Sequence, residues 1–196
     1  MKHTRISVRL YALVGLALMM MAAVMLLGLL EEQEKLVTQR KAMLEAMNEN
    51  AITVFEAYYK QEQAGTLSQT DAQARAIEAI SAMRYQGNGY FWINDMQPKM
   101  VMHPIKPGLN GSDLTETKDP NGKHLFVEFV KIVQANGKGF VDYYWPKPGA
   151  EEPVLKYSHV AGFKPWGWVV GTGVYADDLA AMFREGLVHV AVMCGA

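Results

Sequence analysis

Cysteine is almost absent from this chain. The 196 residues contain one, Cys194, so no disulfide forms within a single chain, no cysteine-based metal site is available, and the fold must hold by packing. An excess of charge of one sign is also missing. Nineteen Lys and Arg stand against 20 Asp and Glu, so there is no basic stripe for phosphates, and no nucleic acid partner is expected. Catalytic signatures are lacking as well. There is no Gly-x-Ser-x-Gly elbow, and His103, His124 and His159 are dispersed without a His-x-x-x-His or carboxylate companion pattern. Gly171-Thr172-Gly173 lies inside an expected strand instead of opening a helix, so it is not a phosphate loop. Asp119 and Asn121 resemble a fragment of a calcium loop without its remaining ligands and read as a turn. The adjacent pairs Glu151-Glu152 and Asp177-Asp178 diverge and read as solvated. The expectation is a protein without cofactor or metal, and not an enzyme; a periplasmic hydrolase would need a nucleophile or metal that these residues do not supply.

What the chain does have is a long apolar run. Lys2, Arg5 and Arg9 precede residues 10–30, which carry no charge, and a helix of that length spans roughly 30 Å, about the hydrocarbon thickness of a bilayer. A cleaved signal peptide is the alternative, but it usually has a shorter apolar stretch of about 7–15 residues and a small-x-small exit, whereas the exit here is Leu26-Leu27-Gly28-Leu29-Leu30. The basic flank against Glu31 and Glu32 places residues 1–9 in the cytoplasm and everything from residue 31 outside. Residues 183–196 are again mostly apolar but too short to span. They read as the start of a second, truncated transmembrane helix, or else as a frayed terminal helix.

Between these ends the periodicity predicts one α+β domain over residues 31–182. Glu31 to Lys60 lacks Pro and Gly, and Leu36, Met43, Met47, Ala51, Val54 and Tyr58 form one stripe of a long helix. Ser68 and Thr70-Asp71 cap a second helix reaching Arg84. Five strands follow, near Tyr90–Asn94, Met100–His103, Gly139–Trp145, Val154–Ala161 and Trp168–Tyr175, with an amphipathic helix through Leu125, Phe126, Phe129, Val130 and Val133 after the second. Short hairpins imply antiparallel pairing, with the helices packed mainly on one face of the sheet.

Several motifs occur in a fixed order: Arg84-Tyr85-Gln86-Gly87-Asn88-Gly89-Tyr90-Phe91-Trp92-Ile93-Asn94-Asp95, then Met100-Val101-Met102-His103-Pro104, Asp119-Pro120-Asn121-Gly122, Pro165-Trp166-Gly167-Trp168 and Gly171-Thr172-Gly173-Val174-Tyr175. Together they resemble the single Cache domain of bacterial chemotaxis receptors and sensor histidine kinases, over about residues 32–180. The resemblance implies a long N-terminal helix on a five-stranded antiparallel PAS-like sheet, flanked by two transmembrane segments. It also implies a sensing domain on the periplasmic or extracellular side of the bacterial inner membrane that binds a small molecule, often a short carboxylate. A homodimer through the long helix is expected. The alternative is a stand-alone anchored or secreted binding protein that hands its ligand or signal to a partner.

A small carboxylate needs one or two fixed donors in an aromatic, otherwise apolar pocket. Alternation puts Val101 with His103, Lys156 with Ser158, and Tyr90 with Trp92 on shared strand faces. His103 is the first candidate, donating to the carboxylate and protonated if the ligand raises its pKa; a histidine bonding nearby backbone is the structural alternative. Lys156 lies mid-strand, where it either meets an anion inside or faces water, the two answers differing by one step of register. Tyr90, Trp92, Tyr143 and Trp145 wall the pocket or serve as ordinary core. Arg84 more naturally complements a helix end than a ligand.

Overall fold

The structure, a computed structural model, describes residues 3–181, so the expected helix over 183–196 lies outside the described residues. The chain divides into two units, residues 1–39 and 40–196. Helix α1, His3–Gln63, contributes to both. In the first unit it contains the uncharged run 10–30, whose described apolar side chains, such as Leu10, Leu13, Met20 and Leu27, are exposed. Among the described residues no helix is long and apolar enough to cross a membrane.

In the second unit the remainder of α1 buries Leu44, Asn48, Ala51 and Phe55. That seam is rotated from the expected one: Met43, Met47, Val54 and Tyr58 are only half-buried flanks. The polar Asn48 at the centre of the seam hid it from a hydrophobicity pattern. Helix α2, Gln69–Ala82, begins where Ser68 accepts a hydrogen bond from the Asp71 amide at 3.1 Å, and it buries Ala72, Ala76 and Ile80, one turn apart. It ends before the expected Arg84, which starts a two-residue strand, β1 (Arg84–Tyr85).

The sheet has six strands instead of five: β1, β2 (Gly89–Asp95), β3 (Met100–Met102), β4 (Lys138–Pro146), β5 (Pro153–Phe163) and β6 (Trp168–Tyr175). Every pairing is antiparallel, in the order β1-β2-β6-β5-β4, with β3 also paired to β2. The extra strand escaped notice because two residues carry no readable alternation. Helix α3, Leu125–Asn136, stops at Gly137, whose φ of 78° lies in the left-handed region that glycine adopts without strain.

Helices cover both faces of this sheet, which corrects the one-sided expectation. On one face α1 and α2 pack Ala51, Phe55, Ala72, Ala76 and Ile80 against Phe91, Ile93, Phe163, Trp168 and Val170. On the other, α3 packs Leu125, Phe126, Phe129, Val130 and Val133 against Trp92, Val141, Tyr143, Val160 and Val169. The run Tyr90-Phe91-Trp92-Ile93 is buried throughout, and a strand that is apolar at both parities needs cover on both sides.

Phe55 is fully buried, with ring centroids 5.5 Å from Phe163 and 5.4 Å from Trp168. Removing a buried phenylalanine typically costs about 3–5 kcal/mol. Phe55→Ala is therefore expected to lose about that much in denaturant unfolding of the full chain, and the half-exposed Phe140→Ala under about 1.5 kcal/mol; equal losses would show that Phe55 does not anchor α1.

Candidate functional site

The α3 face of the sheet carries a polar cluster within its aromatic core. Strand alternation places Tyr90 and Trp92 of β2, Tyr143 and Trp145 of β4, Lys156 and Ser158 of β5, and Gly173 and Tyr175 of β6 on this side. Lys156 is 0 % exposed. Its Nζ donates to the Tyr90 hydroxyl at 2.9 Å and lies 4.0 Å from the Tyr90 ring centroid, 4.9 Å from Tyr175 and 5.3 Å from Trp92. No carboxylate is paired with it among the described residues. Burial alone pulls its pKa down from 10.5 to about 7. The solvated-face alternative for Lys156 is thereby removed.

His103 follows directly on β3 and is buried, with its ring 5.2 Å from Tyr90 and 6.0 Å from Trp145. Its Nδ1 accepts from the Lys106 amide at 3.0 Å and the Ile105 amide at 3.3 Å. Both structural and ligand-facing readings are thus compatible: Nδ1 holds the following turn, and the neutral tautomer keeps its proton on Nε2 as a donor. Burial, then Lys156 and Lys106, push the His103 pKa down to about 3, so the imidazole of the empty site is neutral. Val101 does not share its face. It packs with the α1-side cluster while His103 meets Tyr90, because the register shifts at Ile93/Asn94 and β3 ends at Met102.

Tyr143 accepts from the Ser158 hydroxyl at 3.1 Å and packs 5.2 Å from Phe129 and 6.5 Å from Trp145. Burial raises the Tyr90, Tyr143 and Tyr175 pKa values, so all three remain hydroxyl donors. The Trp92 Nε1 is buried without a hydrogen-bond partner among the described residues. All six sequence candidates, His103, Lys156, Tyr90, Trp92, Tyr143 and Trp145, therefore fall in one connected cluster. Arg84 does not join it: its guanidinium donates to the Ser81 and Met83 carbonyls at 2.6 and 2.8 Å, at the end of α2. Asp119 makes the expected turn, accepting from the Asn121 and Lys123 amides at 2.9 Å.

Sequence reasoning missed Tyr175 and Lys106. Tyr175 presents its ring to Lys156, and Lys106 lies 4.7 Å from the Trp145 ring centroid. The parity of β6 was a usable signal for Tyr175; Lys106 sits in a turn, where periodicity is silent. It also misjudged Asp177-Asp178. Lys147 spans both, at 2.7 Å to Asp177 and 2.5 Å to Asp178, so the pair converges on one cation instead of being merely solvated. Tyr175 connects the two lysines. Its ring is 5.4 Å from Lys147, and its hydroxyl donates to the Pro146 carbonyl at 2.9 Å.

A Cβ added to Gly173 would fall 2.2 Å from Ser158 Oγ, 2.7 Å from the Tyr157 carbonyl and 2.9 Å from Lys156 Cε. Overpacking of this kind costs about 1–3 kcal/mol. Gly173→Ala is expected to lower unfolding stability by that amount, while Gly108→Ala, with nothing within 4 Å of its Cβ, stays within about 0.5 kcal/mol; an unchanged Gly173→Ala would mean the cluster is slack.

Comparison with known proteins adds a lineage to this geometry. The family described as "Single Cache domain 2" matches residues 36–188. The methyl-accepting chemotaxis protein McpP of Pseudomonas putida is 41% identical over 187 residues, covering 95% of this chain and 34% of that protein. The chain thus spans about a third of the length of this curated relative. A solved periplasmic sensor domain of a chemotaxis protein is 49% identical, with a TM-score of 0.70, over 71% of this chain and 97% of that one. A Cache chemosensory domain solved as a structural basis for carboxylic acid recognition is 43% identical, with a TM-score of 0.71, over 73% and 97% of the two chains.

Proposed function

From the premise that this chain belongs to the single Cache domain family, we propose that residues 31–182 are the extracytoplasmic input domain of a bacterial transmembrane chemoreceptor and bind a short carboxylate at Lys156. The observation that carries the reading is the ammonium of Lys156, 0 % exposed and without a paired carboxylate among the described residues. A buried charge costs several kcal/mol unless paired, and surrounding hydroxyls and rings offset only part of that. A ligand carboxylate supplies the missing charge, with the Tyr90 hydroxyl and the His103 Nε2 proton as neutral donors. The carboxylic acid recognition described for the 43%-identical Cache domain supports this ligand class, and the sensory relatives support a receptor without catalytic activity.

In this reading residues 10–30 cross the inner membrane with residues 1–9 in the cytoplasm, and residues 183–196 begin a second crossing. The exposure of apolar side chains along 10–30 supports it, since a helix apolar all round needs lipid or protein cover. Two copies associate through α1. Occupancy is passed on through Tyr175, which touches Lys156 on one side and is followed at once by the Lys147–Asp177/Asp178 clamp. A ligand shifts this connection only to the extent that it binds its two states differently.

Titrating acetate and propionate into the detergent-solubilised full chain tests the site. Both are expected to raise the melting temperature with concentration, an effect abolished by Lys156→Met; unaltered binding in that variant would sink the assignment. The pH dependence has a definite sign. An anion binds the protonated ammonium, so affinity is flat between the ligand's own carboxyl pKa, about 5, and the free-site pKa of about 7, and falls about tenfold per pH unit above that until the ligand-raised pKa is reached. Stability of the empty protein runs the opposite way. The folded pKa lies below the unfolded value of 10.5, so stability rises with pH between them and is lost as pH falls towards 7.

The connection to residues 176–181 is tested by hydrogen exchange. Propionate is expected to change protection there in the wild-type chain but not in Lys147→Ala; an identical response in both proteins would remove the clamp from the route.

A further inference from the structure

We infer that Lys106 is a specificity-determining residue of this site, a second ammonium that engages the far end of the ligand and favours short acids with an anionic group at each end. The inference rests on the carboxylate reading of Lys156 and concerns what the rest of the bound molecule meets. Tyr90, Trp92, His103, Tyr143 and Tyr175 are all buried, whereas Trp145 and Lys106 are half-buried. The wall of the cluster that reaches solvent is therefore the Trp145–Lys106 side. A ligand whose first carboxylate lies against Lys156 extends its other end in that direction.

Lys106 is held there by the site itself. Its amide donates to His103 Nδ1 at 3.0 Å, and the His103 backbone amide donates to Asn110 Oδ1 at 2.8 Å, so the turn over residues 103–110 is tied to His103 through its ring and its main chain. The Lys106 ammonium rests over the Trp145 ring, 4.7 Å from its centroid, and no carboxylate is paired with it among the described residues. This contrasts with Lys123, Lys131, Lys138 and Lys147, each in an ion pair. A half-buried ammonium parked on an indole gains from exchanging that contact for a carboxylate, because a charge-assisted hydrogen bond at a partly desolvated site is stronger than a cation–π contact alone. Burial and then both lysines depress the basicity of His103, so the imidazole feels the two cations together. Two cations facing one neutral donor suit a ligand carrying two negative charges better than one carrying a single charge and a methyl tail.

Isothermal titration of the full chain in detergent with propionate, malonate and succinate, at pH 6.5 and low ionic strength, tests this. In the wild type, malonate or succinate is expected to bind about tenfold more tightly than propionate. Lys106→Met is expected to remove that advantage while leaving propionate affinity within about twofold, and Lys106→Arg to retain it. A wild type that binds propionate but neither diacid more tightly overturns the inference and leaves the carboxylate reading standing, as does a Lys106→Met protein in which all three affinities fall by one factor. Absence of binding by all three probes takes down the carboxylate reading and this inference with it. Melting curves of each variant, and Lys106→Gln as a second neutral substitution, separate a lost contact from a lost fold.

Discussion

The arrangement of the whole α3 face follows from placing one ammonium where water cannot reach it. Lys156 extends from the middle of β5 into a space bounded by the rings of Tyr90, Trp92 and Tyr175. Cation–π contacts contribute about 2 kcal/mol each when desolvated, while removal of an ammonium from water costs several. The two do not cancel, which is why its pKa settles near 7. Its neighbours follow from that requirement. Gly173 must lack a side chain because its Cβ would displace Lys156 Cε, and Gly171 because its Cβ would enter the Trp92 indole.

The same strands serve a second purpose on the opposite face. His159 neighbours Ser158 in β5 but points to α1, where Asn48 Nδ2 donates to its Nδ1 at 3.0 Å and its carbonyl at 2.7 Å. Those two bonds fix one position of α1 along the sheet, since a shift of a single turn would leave the buried Asn48 amide without them. Thr172 of β6 makes a similar connection, bonding the Tyr90 carbonyl at 2.8 Å and the Tyr85 hydroxyl. Alternation in β2, β5 and β6 thus puts the polar cluster and the α1 lock back to back, separated by the thickness of one sheet.

The fold was largely legible in the sequence because its signals are local. Five of six strands, the Ser68 cap and the apolar face of α3 all announce themselves within a window of a dozen residues. For the candidate site, the sequence showed which side chains share a strand face but not which face is covered. Parity alone collected Tyr90, Trp92, Tyr143, Trp145 and Lys156, yet whether Lys156 faced the core depended on which helix covers which side. That is a long-range fact, set by α3 packing on the face opposite α1. The backbone role of His103 was not legible, because the amides of Ile105 and Lys106 that bond Nδ1 lie in a turn without periodicity. The Lys147 clamp was missed for a related reason. Adjacent aspartates diverge in a strand, but here they open a helical segment, where one lysine from another strand end reaches both.

Lys147 and Lys156 present opposite solutions to the same problem on either side of one tyrosine ring, at 5.4 and 4.9 Å from its centroid. Burial pulls the pKa of each down, but for Lys147 the Asp177 and Asp178 carboxylates outweigh it and hold the value above normal. For Lys156 no carboxylate does so among the described residues. A chain that needed Lys156 only for packing would gain stability from a methionine or leucine of similar length, since an apolar side chain carries no desolvation penalty. The ligand carboxylate proposed above would supply the countercharge that the described residues do not place beside Lys156. A supplied anion would then act on Tyr175 from one side while the Asp177–Lys147–Asp178 clamp holds it from the other, which makes that ring the point where occupancy and the start of the C-terminal helical segment meet.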